Sequence, residues 1–165
     1  MNLNEEAQWS SHLPALMSCL AITNGPVCEV GMGNFSTPLL HAVCRSQKRK
    51  LVSFEDDVGW MARFIKYASP EHEIILSGMR DPYKMSRRWS VVFIDQSRNF
   101  WTRADSFKEF IDNTDYICCH DYHRENEDEM RDLIQGMNYH VTRHQEPPTL
   151  VCSKTIPIPS GVLDL

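Results

Sequence analysis

No stretch of the 165-residue chain is apolar for anything close to the roughly 18 residues a membrane span requires. Its first residues, MNLNEEAQW, are acidic where a secretory leader would be basic. The expectation is a soluble, cytoplasmic protein with no membrane partner. A basic excess is lacking too: 17 Lys and Arg against 22 Asp and Glu give a formal net charge of −5. That balance argues against nucleic acid as the main partner, and the local basic runs from Arg45 to Lys50 and at Arg87 and Arg88 read as solvated faces. None of the cysteines (Cys19, Cys28, Cys44, Cys118, Cys119, Cys152) has C-x-x-C spacing, and most sit inside apolar runs. They are expected as small core residues of a reducing compartment, with neither disulfides nor a cysteine zinc site. Internal repeats, low-complexity tracts and interior linkers are also lacking. One globular domain over 1–165 follows, with an N-terminal helical segment at 1–22 and a C-terminal tail at 155–165.

What the chain does carry is alternation. EEAQWSSHLPALMSCLAI, from Glu5 to Ile22, has apolar residues at helical spacing, interrupted once by Pro14, and predicts one helix or two short ones. PVCEVG is a short apolar run bounded by Pro26 and Gly31, the pattern of a buried strand. Ser36 then reads as an N-cap or first-turn residue, with Pro38 at a tolerated early position, of a helix running to about Ser46. KLVSFED predicts a second strand, and DVGWMARFIKYA a helix with Trp60, Phe64 and Tyr67 on one face. HEIILSGM and WSVVFIDQS predict two further strands, joined by the short RDPYKMSRR. ADSFKEFI reads as a helix, DYICCHD as the fifth strand and NEDEMRDLIQGM as a charged amphipathic helix. YHVTRH and TLVCSK are close enough for a hairpin, which puts His140, Arg143 and His144 on a solvated edge. Strands alternating with helices and finished by a hairpin predict an α/β sheet, parallel except for one strand near the C-terminus.

Ligands of open parallel sheets sit beyond the carboxyl ends of the strands. Those ends read EVGMG, SFEDD, GMRD, FIDQS and CCHDYH, so four end in carboxylates and the first carries the glycines. A single acid after a strand follows from turn preference alone; the series points to a site. Gly31 and Gly33 permit a tight turn and a close approach of backbone to ligand, and the amides opening the next helix, around Asn34 and Ser36, can accept a negatively charged group. Glu29 precedes the first glycine by two residues, and Glu55 lies about 20 residues on, placed for ribose hydroxyls. The combination suits a nucleoside ligand, although Ser36 stands where a full G-x-G-x-x-G has its third glycine.

EVGMGNFS, followed by LVSFEDD, WSVVFIDQS and DYICCHD, resembles the succession of motifs in class I S-adenosylmethionine-dependent methyltransferases, the E/D-x-G-x-G superfamily. HQEPPTLVCSK resembles the final hairpin of small bacterial members, and the resemblance runs from about Trp9 to Lys154. It implies a Rossmann-like three-layer sandwich with a mostly parallel seven-stranded sheet, order 3-2-1-4-5-7-6, the seventh strand antiparallel. It also implies S-adenosylmethionine as cofactor, Glu29 near the methionine amino group, and Gly31 and Gly33 packed against the cofactor with Asn34 and Ser36 beside them. Glu55 would take the ribose hydroxyls and Asp81, in GMRDPY, would face the adenine amino group. Trp60 is placed near the adenosine, but its position in VGWMARF favours packing within its helix.

Asp95 closes the fourth strand and His120 with Asp121 closes the fifth, so all three fall in one crevice as the candidate catalytic residues. The arrangement resembles the catechol-type O-methyltransferases, in which acids after the same two strands bind magnesium. His120 departs from that pattern, where the relatives have Asp then Asn. Asp95, His120 and Asp121 thus suit a divalent ion, metal-free acid/base work, or a structural or substrate-orienting role. Carboxylates suit Mg²⁺, while an added imidazole suits Mn²⁺ or Zn²⁺ better. CHDYHRE also brings His123 close in sequence, but neighbours on a strand face opposite ways and the spacing is not that of a zinc site, which leaves His123 in a loop.

The expected function is methyl transfer to an unidentified acceptor, through oxygen or nitrogen. The alternative is an S-adenosylmethionine-binding or interaction protein with the fold and no transfer activity, in keeping with how little chain RDPYKMSRR leaves to enclose a substrate. An NAD-dependent oxidoreductase is a third reading, weakened by Ser36. A small-molecule or other acceptor is the expected partner, and oligomerisation is one way to complete the site.

Overall fold

The computed structural model describes residues 9–76, 87–97, 102–124, 127–144 and 146–161. The strands are β1 (Val27–Val30), β2 (Leu51–Glu55), β3 (His72–Leu76), β4 (Trp89–Ile94), β5 (Thr114–His120), β6 (Tyr139–Arg143) and β7 (Thr149–Ser153). They form one seven-stranded sheet in the order β3-β2-β1-β4-β5-β7-β6. Strands β3 to β5 pair in parallel through β2, β1 and β4, and β7 runs antiparallel to both β5 and β6. This is the order implied by the motif resemblance. The winding reverses between β1 and β4, and a crevice opens there beyond their carboxyl ends.

Helices cover both faces: α1 (Leu13–Ala21), α2 (Ser36–Ser46), α3 (Val58–Met61), α4 (Arg103–Phe110) and α5 (Glu127–Gln135). Side chains alternate along each strand, so Val91 and Phe93 pack with Leu16, Leu20 and Leu40 of α1 and α2. Val92 and Ile94 turn the other way, toward Phe107 and Phe110 of α4 and Met130 of α5. A strand buried on both faces needs an unbroken apolar run, which is why VVFI contains no polar residue. The adjacent Cys118 and Cys119 divide between the same two clusters, and all six cysteines are buried free thiols.

Pro14 sits in the first turn of α1, where its missing N–H costs nothing, and residues 9–12 form the turn that leads in. The other end of α1 is closed by Arg49. Its guanidinium donates to Leu20 O at 3.1 Å, Thr23 O at 3.2 Å and Gly25 O at 2.7 Å. A cation there satisfies orphan carbonyls and faces the negative end of the helix dipole. Arg49 is 4% exposed, so this member of the basic run is a buried cap and not part of a solvated face.

The helix expected from Asp57 to Ala68 is broken. Only α3 forms, capped by Asp57 Oδ1 accepting from Trp60 N at 2.7 Å, and a 3-10 turn follows at Ile65–Tyr67. α3 buries no residue, so nothing repays the cost of extending a helix that already contains Gly59. The aromatics separate accordingly. Phe64 meets Trp60 edge-on at 5.6 Å, whereas Tyr67 packs against His41 at 5.2 Å. Asp81 and most of RDPYKMSRR lie outside the described residues.

Candidate active site

The turn after β1 is built from beneath. Glu29 is fully buried, and its Oε1 accepts from Ser36 Oγ at 2.7 Å and Thr37 Oγ1 at 2.9 Å, while Oε2 accepts from Ser53 Oγ at 2.6 Å. Thr37 Oγ1 in turn accepts from Gly33 N at 2.9 Å. Burial pushes the Glu29 carboxyl up to about 7 against the pull of the three hydroxyls. The side chain therefore braces the turn, and its oxygens face hydroxyls of the protein itself. Ser36 is a first-turn residue of α2 whose hydroxyl is spent on Glu29 and not on a helix cap.

The two glycines differ in what they permit. Gly31 has φ +88°, and a Cβ there would lie 2.5 Å from Gln96 Cα and 2.7 Å from Asp95 C. It lets the turn rest on the backbone leaving β4, where no side chain fits. Gly33 has no such φ, and its Cβ would meet only Ser36 Oγ, at 2.9 Å.

Glu55 clamps the turn to the end of β2. Its Oε2 accepts from Met32 N at 3.0 Å, and its Oε1 accepts from Asp56 N and Asp57 N, each at 3.0 Å. Burial raises its pKa, and the three amides offset part of that. Trp60 Nε1 donates to Met32 O at 2.7 Å, so this indole is fixed on the turn and lines the pocket.

Beyond β4 and β5, Asp95 Oδ1 lies 3.1 Å from His120 Nδ1 and accepts from Arg103 Nη2, also at 3.1 Å. Arg103 Nε further donates to His120 O at 2.9 Å. Burial works to raise the Asp95 pKa, but the hydrogen bond and charge of His120, with His12 and Arg103, outweigh it and hold the carboxyl below its ordinary value. His120 Nε2 lies 3.0 Å from Ser11 Oγ, which donates its proton to Pro147 O at 2.9 Å. His12 stands beside His120 with ring centroids 4.7 Å apart, and burial lowers its pKa to about 4, leaving it neutral near pH 7. Asp121 adopts φ +55°, a conformation that Asp tolerates better than most residues. The kink breaks strand alternation, so His120 and Asp121 both reach the pocket wall.

Together these groups enclose a cavity of about 470 Å³, within the range of small-molecule sites. Of the residues expected from sequence, Gly31, Gly33, Asn34, Ser36, Glu55, Asp95, His120 and Asp121 line it. Glu29 lies beneath it. Sequence reasoning missed Trp9, His12, Arg103 and Pro147. The legible signal for His12 was an imidazole two residues before the helix-opening Pro14; for Arg103, a cation opening a helix directly after a strand-end loop. Among the described residues, His12, Asp95 and His120 each bring one possible ligand atom within 4.8 Å of the others, so two of the three residues expected from sequence for a metal, Asp95 and His120, stand together with His12. Asp121 Oδ1 lies 3.6 Å from His123 Nδ1.

No protein-family model matches the sequence, and no curated protein matches it. Solved structures do. Human methyltransferase-like protein 13, in complex with SAH, superposes with a TM-score of 0.63 at 12% identity, covering 99% of this chain and 88% of that one. N-methyltransferase NodS from Bradyrhizobium japonicum WM9, in complex with S-adenosyl-L-homocysteine, gives 0.58 at 10% identity, covering 87% and 84%. CalS11, a TDP-rhamnose 3'-O-methyltransferase of calicheamicin biosynthesis, gives 0.62 at 11% identity, covering 92% and 80%. With its strand order, its glycine turn and these superpositions, the chain has the fold of the class I S-adenosylmethionine-dependent methyltransferases.

Proposed function

We propose that the protein is an S-adenosylmethionine-dependent methyltransferase acting on an oxygen or nitrogen nucleophile. The observation that carries this reading is one cavity at the sheet's switch point, bounded by the glycine turn and Glu55 on one side and by Asp95, His120 and Asp121 on the other. Apolar surface from Met32, Phe35 and Trp60, with carboxylates such as Glu55 at its edge, fits an adenosyl ligand. Bound there, S-adenosylmethionine would supply an electrophilic methyl group on a sulfonium. Glu55, rigid under three amide hydrogen bonds, retains carboxylate lone pairs for ribose hydroxyls. Asp95, held ionised, orients the acceptor's proton, and Arg103 with His120 fixes the carboxylate for that task. The same fold serves an N-methyltransferase and an O-methyltransferase among the superposed structures, so the acceptor atom depends on this crevice and not on the fold.

Calorimetric titration with S-adenosylmethionine, S-adenosylhomocysteine and NAD is the first test: the first two bind and NAD does not. A panel of hydroxyl and amine acceptors follows. In Asp95→Asn, S-adenosylhomocysteine binding survives while methyl transfer falls by at least roughly 100-fold. The second reading, a cofactor-binding protein without transfer, draws on the extent to which Asp95 is already braced. It is the one left standing if the wild type binds cofactor and turns over no acceptor.

A further inference from the structure

We infer that His12, Asp95 and His120 form a binding site for one divalent transition-metal ion, in the Mn²⁺ to Zn²⁺ range and not Mg²⁺ or Ca²⁺. The inference needs no cofactor and stands whether or not the protein transfers methyl groups.

His12 provides the first observation. It is 2% exposed, and among the described residues neither ring nitrogen has a hydrogen-bond partner. Buried imidazoles without partners are uncommon, because desolvation goes uncompensated. This one lies on the wall of an open pocket, next to two other ligand types.

Spacing provides the second. One donor atom from each of His12, Asp95 and His120 lies within 4.8 Å of the others. Donors that share an ion through bonds of about 2.1 Å stand roughly 3.0 to 4.2 Å apart. Asp95 Oδ1 and His120 Nδ1 are already at 3.1 Å, so only a small movement of the His12 ring is needed.

The fixing of the His120 ring provides the third. Ser11 Oγ lies 2.9 Å from Pro147 O and 3.0 Å from His120 Nε2. His120 is thus held from behind on Nε2 by α1 and the final hairpin, while its Nδ1 faces Asp95 Oδ1 at 3.1 Å, the side on which an ion would sit. The Ser11 and Pro147 contacts then act as the outer partners that fix a ligating imidazole.

Two imidazoles and one carboxylate are borderline ligands that suit Mn²⁺, Fe²⁺, Co²⁺ or Zn²⁺, while Mg²⁺ and Ca²⁺ favour all-oxygen sets. Arg103 opposes a second cation, and an ion bridging Asp95 Oδ1 and His120 Nδ1 would have to share that oxygen with Arg103 Nη2 or displace it. Glu55, Asp57 and Asp121 also line the cavity, so its acids outnumber the one guanidinium. Three protein ligands leave coordination positions open toward the cavity.

The test titrates untagged wild-type protein with Co²⁺, and then with Zn²⁺ and Mg²⁺ in competition with a weak chelator. One equivalent of Co²⁺ should bind, giving d–d absorption without a thiolate charge-transfer band, and Zn²⁺ should displace it while Mg²⁺ does not. His12→Phe keeps the ring packing against Phe93, seen at 4.8 Å, and should weaken binding by more than the roughly 10-fold to 100-fold that an outer partner is worth. Near-UV circular dichroism of that variant should be unchanged, which separates a lost ligand from a lost fold. Ser11→Ala, folded by the same criterion, should weaken the metal about 10-fold and serves if His12→Phe does not fold. Absence of Co²⁺ and Zn²⁺ binding, tighter binding of Mg²⁺, or binding undiminished in folded variants overturns the proposal.

Discussion

Ser53 Oγ stands 2.6 Å from Glu29 Oε2 and 2.8 Å from His72 Nε2, so a single hydroxyl couples the acid beneath the glycine turn to an imidazole on β3. The donors run in one direction. Ser53 gives its proton to the carboxylate and accepts from His72 Nε2, which leaves His72 Nδ1 to accept from His41 Nδ1 at 3.3 Å.

Glu29 should therefore weigh on stability in a pH-dependent way. Its folded pKa, about 7, exceeds the ordinary 4.5, so the folded state holds the extra proton between those values. The resulting stabilisation is complete below about pH 4.5 and is lost as pH rises to about 7, on the order of 3 kcal/mol. His12 and His72, both lowered to about 4 by burial, act oppositely, with stability present above about 6.5 and lost toward 4. The slopes cancel in part, and only a variant isolates one of them. Urea denaturation of wild type and Glu29→Gln across this range should show the wild type losing ground as pH rises; parallel midpoints would contradict the assignment.

The glycines separate folding from binding. Gly31→Ala forces a Cβ to 2.5 Å from Gln96 Cα at φ +88° and should cost at least about 2 kcal/mol of stability. Gly33→Ala intrudes on the Ser36 hydroxyl that donates to Glu29, a side-chain atom that can shift, so the protein should fold with a smaller loss than Gly31→Ala and lose S-adenosylhomocysteine affinity. Gly33→Val extends the same intrusion and should abolish binding in a protein still folded by circular dichroism. Equal stability of the two alanine variants would show that Gly31 is not held by the β4 backbone.

Much of this architecture was legible because a strand buried on both faces must be apolar throughout, and its end must then be polar. VVFI followed by Asp95, and ICC followed by His120, announce both strand and site edge. Ser11, His12 and Pro147 were not legible as site residues, since their place depends on how α1 and the final hairpin dock on the sheet. The failed helix after Asp57 had the right spacing and no surface to bury against. Glu29 was legible as the acid before the glycine turn, but not its hydrogen bonds to Ser36, Thr37 and Ser53, whose hydroxyls converge only in three dimensions.

Glu55→Gln replaces one carboxylate oxygen with an amide that cannot accept from the surrounding N–H groups. A loss on the order of 1.5 to 3 kcal/mol is expected, the worth of hydrogen bonds to a charged group. Calorimetry should show it as roughly 10-fold to 100-fold weaker S-adenosylhomocysteine binding. Asp56→Asn is the control; if it is the sensitive variant, the acid that faces the cofactor is the next one along.

Arg103 joins two strand ends through its contacts with Asp95 and His120 O. Arg103→Met removes the cation and leaves a half-buried carboxylate and a carbonyl short of donors, for a loss of about 2 kcal/mol after allowing for the 24% exposure of the Asp95 side chain. Arg103→Lys should recover only part of it, because one ammonium cannot reproduce the fork. Thermal denaturation of both variants against wild type decides; no change in either would make the contact incidental.

The hydroxyl of Ser11 and the carbonyl of Pro147 are 136 residues apart along the chain. A ribosome extrudes the first long before the second exists, on the order of 10 s at roughly 5–20 residues per second. Throughout that interval the nascent chain can carry the glycine turn and the β4 acid, but not the prop that positions His120. The Ser11–Pro147 contact behind His120 can thus close only once the last hairpin has emerged, and a truncated translation product lacking that hairpin would miss the part of the pocket wall that Pro147 supplies.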